Sequence, residues 1–316
     1  MLNYVLHRVL ALVPTLLVVS VVVFGLQQML PGDVAQAMAG EDQDPQVIAQ
    51  IRRTYRLDEP IPVRYALWLG GVVRGDLGIS LRNQVPVSDL IRQKLPATLL
   101  LATMAMAWAF AIGIPAGVLA ALRKGSALDH LANVVGLAGL SVPPFWLGLM
   151  LILLVSVNLG LLPASGYVSP FVSPGDALRS LLMPSFVLGA SAAAVLMRHT
   201  RAAMLAALRS DYVRTARAKG LYERLVILRH AFRNALIPII TMAALQTGQL
   251  LSGAVLTEQV FTIPGFGRLI VDGVFTRDYA VVQGAVLVTA LIYVMLNLAA
   301  DIAYGLADPK MRAGSP

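Results

Sequence analysis

The sequence predicts an all-α membrane protein with six transmembrane helices and a small helical insertion after the first of them. The 316 residues are 57% hydrophobic and 13% charged, which is too apolar for a soluble globular protein. Apolar runs of roughly 20 residues, the length that crosses a bilayer, recur along the chain. Basic residues concentrate beside these runs, above all in one long loop at residues 198–238.

The six predicted spans lie at residues 9–30, 97–122, 131–157, 181–197, 236–256 and 281–300. The first run competes with a signal-peptide interpretation, because Ala35-Gln36-Ala37 resembles a cleavage site. Its apolar part exceeds the roughly 7–15 residues of a signal core, so a retained helix is predicted. Loops after even-numbered spans carry a basic excess, which predicts that both termini lie in the cytoplasm.

This pattern divides the chain into four parts. Residues 1–30 form the N-terminus and first helix, residues 31–96 an extracytoplasmic insertion, residues 97–308 a core of five helices, and residues 309–316 a cytoplasmic tail. The insertion has helical periodicity at 46–56 and 65–73. Two amphipathic pieces need a surface to pack against, so a small helical cap is preferred over a passive connector.

Two spans carry local signals. In the third, Ser141-Val142-Pro143-Pro144 interrupts the helical pattern near its middle. Pro143 and Pro144 leave carbonyls without donors, so this break is predicted to lie against protein or a water-filled cavity, as a candidate part of a pathway. In the fourth, Gly189-Ala190-Ser191-Ala192-Ala193-Ala194 predicts a stripe of small residues for close helix packing.

The basic loop contains a short predicted helix at residues 211–220, with Ser210 or Asp211 as a cap and Gly220 as a left-handed terminator. Val213, Ala216 and Gly220 share one face and are small, so we expect another protein to pack closely over them. A second amphipathic segment follows and ends at Asn234-Ala235-Leu236-Ile237-Pro238, where the fifth span begins. Its predicted apolar face consists of Leu221, Leu225, Leu228 and Phe232.

Several kinds of chemistry find no support in the sequence. The six predicted spans contain no Asp, Glu, Lys, Arg or His in their interiors, which argues against proton coupling. An ion-coupled carrier that uses carbonyls and hydroxyls remains a rival class. The sequence has no phosphate-binding Gly-x-x-x-x-Gly-Lys-Ser/Thr loop and no cysteine. Its four histidines are scattered along the chain. We therefore predict no catalytic residues, cofactor or metal site, and no nucleic acid partner, since the net charge of +8 lies beside apolar spans.

The order of residues in the basic loop resembles the cytoplasmic coupling loop of binding-protein-dependent ABC importer permeases. The resemblance rests on Thr215-Ala216-Arg217-Ala218-Lys219-Gly220 and on His230-Ala231-Phe232-Arg233-Asn234-Ala235-Leu236-Ile237-Pro238. Where the general family motif opens Glu-Ala-Ala, this chain has Arg214, Thr215 and Ala216, as is usual in the dipeptide, oligopeptide, glutathione and nickel branch. Pro31-Gly32-Asp33, Gly75-Asp76-Leu77-Gly78 and the 261–267 loop are similar to that branch as well.

The resemblance implies the type I ABC importer permease fold in the bacterial inner membrane. It implies a heterodimer with a second homologous permease, two cytoplasmic ATPases and an extracytoplasmic solute-binding protein, with lipid around the spans. ATP hydrolysis then belongs to a separate chain, and the solute is a dipeptide or oligopeptide, with nickel or a metal chelate as the alternative. The residues it implies for ATPase coupling are Val213, Thr215, Ala216, Arg217, Ala218, Lys219 and Gly220.

Overall fold

The computed structural model describes residues 2–29, 35–36, 44–54 and 56–307, and these residues are almost entirely helical. The only β pairing among them is an isolated bridge between Ile79 and Pro86. The α-helices are α1 Leu2–Met29, α2 Pro45–Thr54, α3 Ile61–Val73, α4 Val87–Trp108, α5 Ile114–Leu122, α6 Ala127–Ser141, α7 Pro144–Leu151, α8 Pro174–Leu208, α9 Asp211–Ala218, α10 Glu223–Leu225, α11 Arg233–Val260, α12 Phe266–Phe275 and α13 Tyr279–Ala307. The all-helical prediction is confirmed.

Three π-helical stretches lengthen these helices without interrupting them. Ala109–Gly113 joins α4 to α5, Ile152–Asn158 extends α7, and Val226–Phe232 joins α10 to α11. The first of them immediately precedes Pro115, which has no amide hydrogen to give to the preceding turn. A widened turn absorbs this loss without ending the helix. The sequence pattern did not predict these stretches.

Four continuous helical stretches are long and apolar enough to cross a membrane: Val87–Leu122, Pro174–Leu208, Glu223–Val260 and Tyr279–Ala299. A fifth candidate is the pair Ala127–Ser141 and Pro144–Asn158, which is bent by 100° at its break. The predicted break in the third span is thereby confirmed. In the first predicted span, the apolar part within the described residues is Leu12–Gly25. The count of six spans remains a prediction.

The described helices form two compact units, of which the first comprises residues 96–267 and 295–307. Its centre is α8, which packs against α5, α6, α7 and α11. The predicted small-residue stripe makes this possible. A Cβ at Gly189 would overlap the carbonyl of Ala105, and one at Gly113 would lie 2.6 Å from the carbonyl oxygen of Ala193. Absence of these side chains lets the backbones touch.

Helix α8 is longer than the predicted 181–197 at both ends, and its start has a clear local cause. Ser173 occupies the N-cap position and its hydroxyl accepts from the Asp176 amide, while Pro174 takes the first helical position. Proline is favoured there because that amide would have no helical partner. The helix then continues past the apolar run to Leu208, so its last turns carry charged side chains.

The second unit comprises residues 2–95 and 268–294. The predicted helices of the insertion are present as α2 and α3, and α3 packs on α1 through the rings of Phe24, Tyr65 and Trp68. The Ser20 and Tyr65 hydroxyls share a hydrogen bond of 2.7 Å. A turn after α3 is held by Ser80, which donates to the buried Asp278 carboxylate at 2.6 Å. Helix α3 of the insertion thus has a packing surface on α1.

Candidate coupling site

The predicted short helix of the basic loop is α9, Asp211–Ala218, which we call the coupling helix. Gly220 has a φ of +75°, as predicted for a terminator, and its amide donates to the Arg217 carbonyl at 2.9 Å. Ser210 occupies the predicted N-cap position, and Asp211 lies in the first turn. The Ser210 hydroxyl donates to the Ala207 carbonyl and makes no cap hydrogen bond.

The face of the coupling helix that carries Val213 and Ala216 turns into this chain. Both side chains are buried, and they pack in one apolar cluster with Met204, Ala207 and Val226. The expectation that another protein packs over these two side chains is therefore corrected, because their surface is already covered. Sequence periodicity identified the apolar face correctly but did not identify what it packs against.

The rest of the coupling helix and the turn that follows Ala218 are open. The predicted coupling residues other than Val213 and Ala216 are all exposed, namely Thr215, Arg217, Ala218, Lys219 and Gly220. A Cβ added to Gly220 would meet nothing within 4 Å, so nothing in this chain requires close approach there. These five residues therefore stay the predicted candidates for contact with a partner.

One ion pair fixes the turn that follows the coupling helix. The Arg217 guanidinium donates twice to the Glu223 carboxylate, at 3.1 and 2.6 Å. These hydrogen bonds raise the pKa of Arg217 above its ordinary value. Both side chains remain about half exposed, at 43% and 55%, so the pair orients the turn and contributes little to stability.

The apolar face predicted for the second amphipathic segment is confirmed at Phe232, which packs against the apolar cluster, and is wrong for Leu221, Leu225 and Leu228. Leu225 and Leu228 are exposed, whereas Val226 and Ala231 are buried. The reason is the π-helical stretch Val226–Phe232, whose wider turns shift the side chains away from 3.6-residue periodicity. The segment also runs into α11 through Pro238 without a break, in contrast to the predicted boundary. Tyr222 is 86% exposed beside the coupling helix.

The residues at the helix break are open to the surroundings of this chain. Pro143 begins the turn into α7, with φ −62° and ψ 132°, and Pro144 takes the first helical position. Both prolines are exposed, as are Phe145 and Trp146. The predicted protein or water environment of the break is therefore not supplied by the described part of this chain.

Sequence reasoning missed three buried carboxylates among the described residues, namely Asp278 and two in the first unit. Asp129, at the start of α6, receives two hydrogen bonds from the Arg201 guanidinium at 2.6 and 2.8 Å. Glu258, predicted in a loop, lies in the last turn of α11 and accepts a hydrogen bond from the Thr98 hydroxyl at 2.5 Å. The spacing Ser126-x-x-Asp129 was an available signal, because it is typical of helix N-termini.

Within the described residues, no group of three or more His, Asp or Glu side chains is arranged to hold a metal ion. Each salt bridge between described residues joins two side chains, such as Asp129 with Arg201. The absence of a bound metal or cofactor stays a prediction.

Comparison with known proteins identifies the same kind of transport protein along almost the whole chain. Residues 113–313 match the family described as the binding-protein-dependent transport system inner membrane component, and residues 1–102 match the N-terminal membrane component of such systems. The glutathione transport system permease protein GsiC of Escherichia coli K12 is 43% identical over 312 residues, covering 99% of each chain. The dipeptide transport system permease protein DppB of the same strain is 42% identical over 336 residues, with the same coverage.

Among solved structures, the fold resembles a chain of the inward-facing MetNI methionine ABC transporter. The TM-score is 0.55 at 20% identity, and the match covers 69% of this chain and 96% of that one. This likeness supports the type I importer fold. The chain belongs to the family of inner membrane components of binding-protein-dependent transport systems, in which it is a permease subunit and not an ATPase.

Proposed function

We propose that this chain is a permease subunit of an ATP-driven importer of dipeptides or oligopeptides, with glutathione as the second candidate. The observation that supports the proposal is the full-length similarity, at 42–43% identity, to permeases named for dipeptide and for glutathione transport. The chain forms half of the translocation pathway, and a second homologous permease forms the other half. An extracytoplasmic binding protein delivers the solute, and two ATPases supply the energy.

The solute preference is tested by uptake in proteoliposomes that contain the transporter purified with its partners. We expect ATP-dependent accumulation of a radiolabelled dipeptide, competed by other short peptides. Accumulation of glutathione without dipeptide uptake would select the second candidate. Accumulation driven by an ion gradient without ATP would contradict both.

The exposed face of the coupling helix is the proposed contact with an ATPase. Arg217 and Lys219 give it positive charge, and Gly220 leaves an open surface at its end. Because Val213 and Ala216 are packed into this chain, a push on the exposed face moves the apolar cluster beneath it. We therefore assign contact with the ATPase to the exposed residues of the helix and of the turn after it. Transmission of the movement is assigned to the buried face of the helix.

Gly220 provides the sharpest test of this contact. Gly220→Ala and Gly220→Trp both strain the positive φ, but only Trp places a large side chain on the exposed surface. Gly160→Trp is the matched control, since Gly160 also has a positive φ, of +64°, and open space around its Cβ position. We expect ATP-dependent uptake to collapse for Gly220→Trp alone. Normal uptake by an assembled Gly220→Trp transporter would overturn the coupling assignment.

The topology proposal places both termini and the coupling helix in the cytoplasm, and residues 31–96 outside. It is supported by the basic loops beside the spans. The chain lacks cysteine, so Glu59→Cys and Ala218→Cys give two single reporters at exposed positions. In intact cells a membrane-impermeant thiol reagent should label position 59 and spare position 218. The reverse pattern would show that the orientation is inverted.

The helix break at Pro143 and Pro144 is proposed to face the pathway or the second permease. Its exposed prolines and the neighbouring aromatic side chains lack cover from the described part of this chain, and irregular backbone at membrane depth requires protein or water beside it. Phe145→Cys in an otherwise unchanged chain should react with a small water-soluble thiol reagent in the assembled transporter. If the cysteine at position 145 does not react with the reagent even in the permease purified alone, this assignment is contradicted.

A further inference from the structure

Helix α6 is joined to α8 by a buried ion pair at one end. The side chain of Asp129 is 4% exposed and that of Arg201 is 24% exposed. Besides both guanidinium hydrogen bonds, the Asp129 carboxylate accepts from the Gly125 amide at 2.9 Å and from the Asn133 amide group at 3.0 Å. Each carboxylate oxygen therefore has two donors, which fixes its position and orientation.

The same two helices remain in close contact along α6. A Cβ at Gly136 would overlap the methyl group of Met197, and a Cβ at Gly139 would lie 3.3 Å from that of Ala194. The contacts run in opposite directions along the two helices, from Asp129 with Arg201 to Gly139 with Ala194. Two residues beyond Gly139, α6 ends at Ser141 and the chain turns by 100° into α7.

At its other end α8 leads directly to the coupling helix. Met204 and Ala207, in the last two turns of α8, pack in the apolar cluster that also holds Val213 and Ala216. Arg201 is thus one turn before Met204 on the helix that supports the coupling helix. A continuous set of buried contacts joins the coupling helix, α8, the ion pair and α6.

We propose that the Asp129–Arg201 pair is a positioning device for transport, which makes α6 move with α8 so that displacement of the coupling helix reaches the break at Pro143 and Pro144. This inference rests on the coupling role proposed above. The glycine contacts allow α6 to slide or tilt on α8, since they are apolar and non-directional. The bidentate pair has a single favourable geometry and prevents this relative motion at the end nearest the coupling helix.

Stability alone is a weak reason for such a pair. Desolvation of two charges offsets most of their attraction, so well-packed apolar residues of similar volume hold helices together equally well. What the pair adds is a fixed register. The exposed pair of Arg52 with Asp58 lacks this burial. Arg217 also donates twice to Glu223, but both of those side chains are about half exposed.

The test uses the absence of native cysteine and the assembled transporter. Spin labels at Leu140→Cys and Arg214→Cys, both exposed and both outside the proposed contact surface, report the distance between the end of α6 and the coupling helix. The variants are Asp129→Asn, Arg201→Lys and the doubly neutral Asp129→Asn with Arg201→Gln, which leaves no unpaired buried charge. Asp58→Asn is the control for loss of an exposed pair. Uptake of a radiolabelled dipeptide and ATP hydrolysis are measured on the same preparations.

With the native pair we expect one narrow distance distribution, with and without a non-hydrolysable ATP analogue. In the Asp129 and Arg201 variants the distribution should broaden, and uptake per ATP hydrolysed should fall about fivefold or more, the lower end of typical coupling between two sites. Arg201→Lys, which keeps the charge, should lie between. Asp58→Asn should behave as wild type.

Narrow distances with normal uptake per ATP would overturn the proposal. The proposal is also overturned if less transporter assembles while the distance distribution stays narrow and uptake per ATP stays normal. That result is expected for a pair that only stabilises the fold. If the wild-type transporter neither binds nor uses an ATPase, the proposed function fails instead. The label distance in the permease still shows whether the pair fixes α6 on α8.

Discussion

Two segments with equally distinctive sequences are used in opposite ways. The coupling segment, residues 211–225, keeps most of its side chains exposed, and a Cβ at Gly220 would meet open space. In residues 258–267, which we call the Glu258 segment, Glu258, Phe261 and Ile263 are almost completely buried. The first segment leaves its residues exposed, where the proposed partner would contact them, and the second packs its residues within its own unit.

The space around the glycines of the two segments gives a numerical measure of this difference in packing. Gly220 has no neighbour that excludes a side chain, and its only internal requirement is the positive φ of 75°. A Cβ at Gly265 would overlap the Glu258 carboxyl group, and a Cβ at Gly267 would lie 2.8 Å from the Val255 side chain. Gly265 and Gly267 are therefore required by packing within this chain. Gly220 is required by backbone conformation and, under the proposed function, by the partner.

The largest expected effect is in the Glu258 segment. Phe261→Ala removes a ring that is 1% exposed and packs against Gly148 and the core of its unit. We expect the free energy of unfolding to fall by about 3–5 kcal/mol, as for other buried aromatic truncations. Thermal unfolding in detergent, followed by tryptophan fluorescence, measures this loss. A change as small as that of Tyr222→Ala, at an 86% exposed ring, would contradict the comparison.

Gly265→Ala tests the close fit over Glu258. The added methyl group forces the carboxyl group or the backbone to move, with an expected cost of about 1–3 kcal/mol. Gly175→Ala is the control, because Gly175 has open space and no positive φ. The same unfolding measurement should show little change for the control. Equal stability of the two variants would mean that the Glu258 segment is not closely packed.

Gly220→Ala should cost less, on the order of 1 kcal/mol, through the left-handed backbone alone. The variant should assemble normally and unfold at a slightly lower temperature, with uptake close to wild type. A cost equal to that of Gly265→Ala would show that Gly220 is packed in a way that the structure does not contain. Paired measurements of unfolding and uptake separate these outcomes.

The smallest effect is expected for the exposed pair of the coupling segment. Glu223→Gln removes the partner of Arg217, and we expect a change of about 0.2–1 kcal/mol, reduced by added salt. The unfolding temperature in low and in high salt measures it. A larger change that salt does not reduce would indicate that this pair is buried in the assembled transporter.

Periodicity and composition predicted the helices well, because a membrane span needs only enough apolar residues in a row. The break at Pro143 and Pro144, the terminator at Gly220 and the helices of the insertion follow from local backbone chemistry, and the structure contains all three. The register of Leu225 and Leu228 was predicted wrongly, because π-helical turns depend on packing and leave no regular sequence pattern. The predicted boundary at Pro238 was also wrong, because α11 continues through this residue. A helix tolerates proline when its surroundings compensate for the lost hydrogen bond.

By itself, the sequence determined that this protein is a helical membrane permease, where its basic loop lies and which family it belongs to. These conclusions depend on residue order and on hydrophobicity, which are local properties. Only the tertiary structure showed that Val213 and Ala216 face inward, that Asp129 meets Arg201 across 72 residues, and that Glu258 lies beneath its own loop. Contacts between segments far apart in the chain depend on how helices pack, and a single sequence does not encode that packing as a readable pattern.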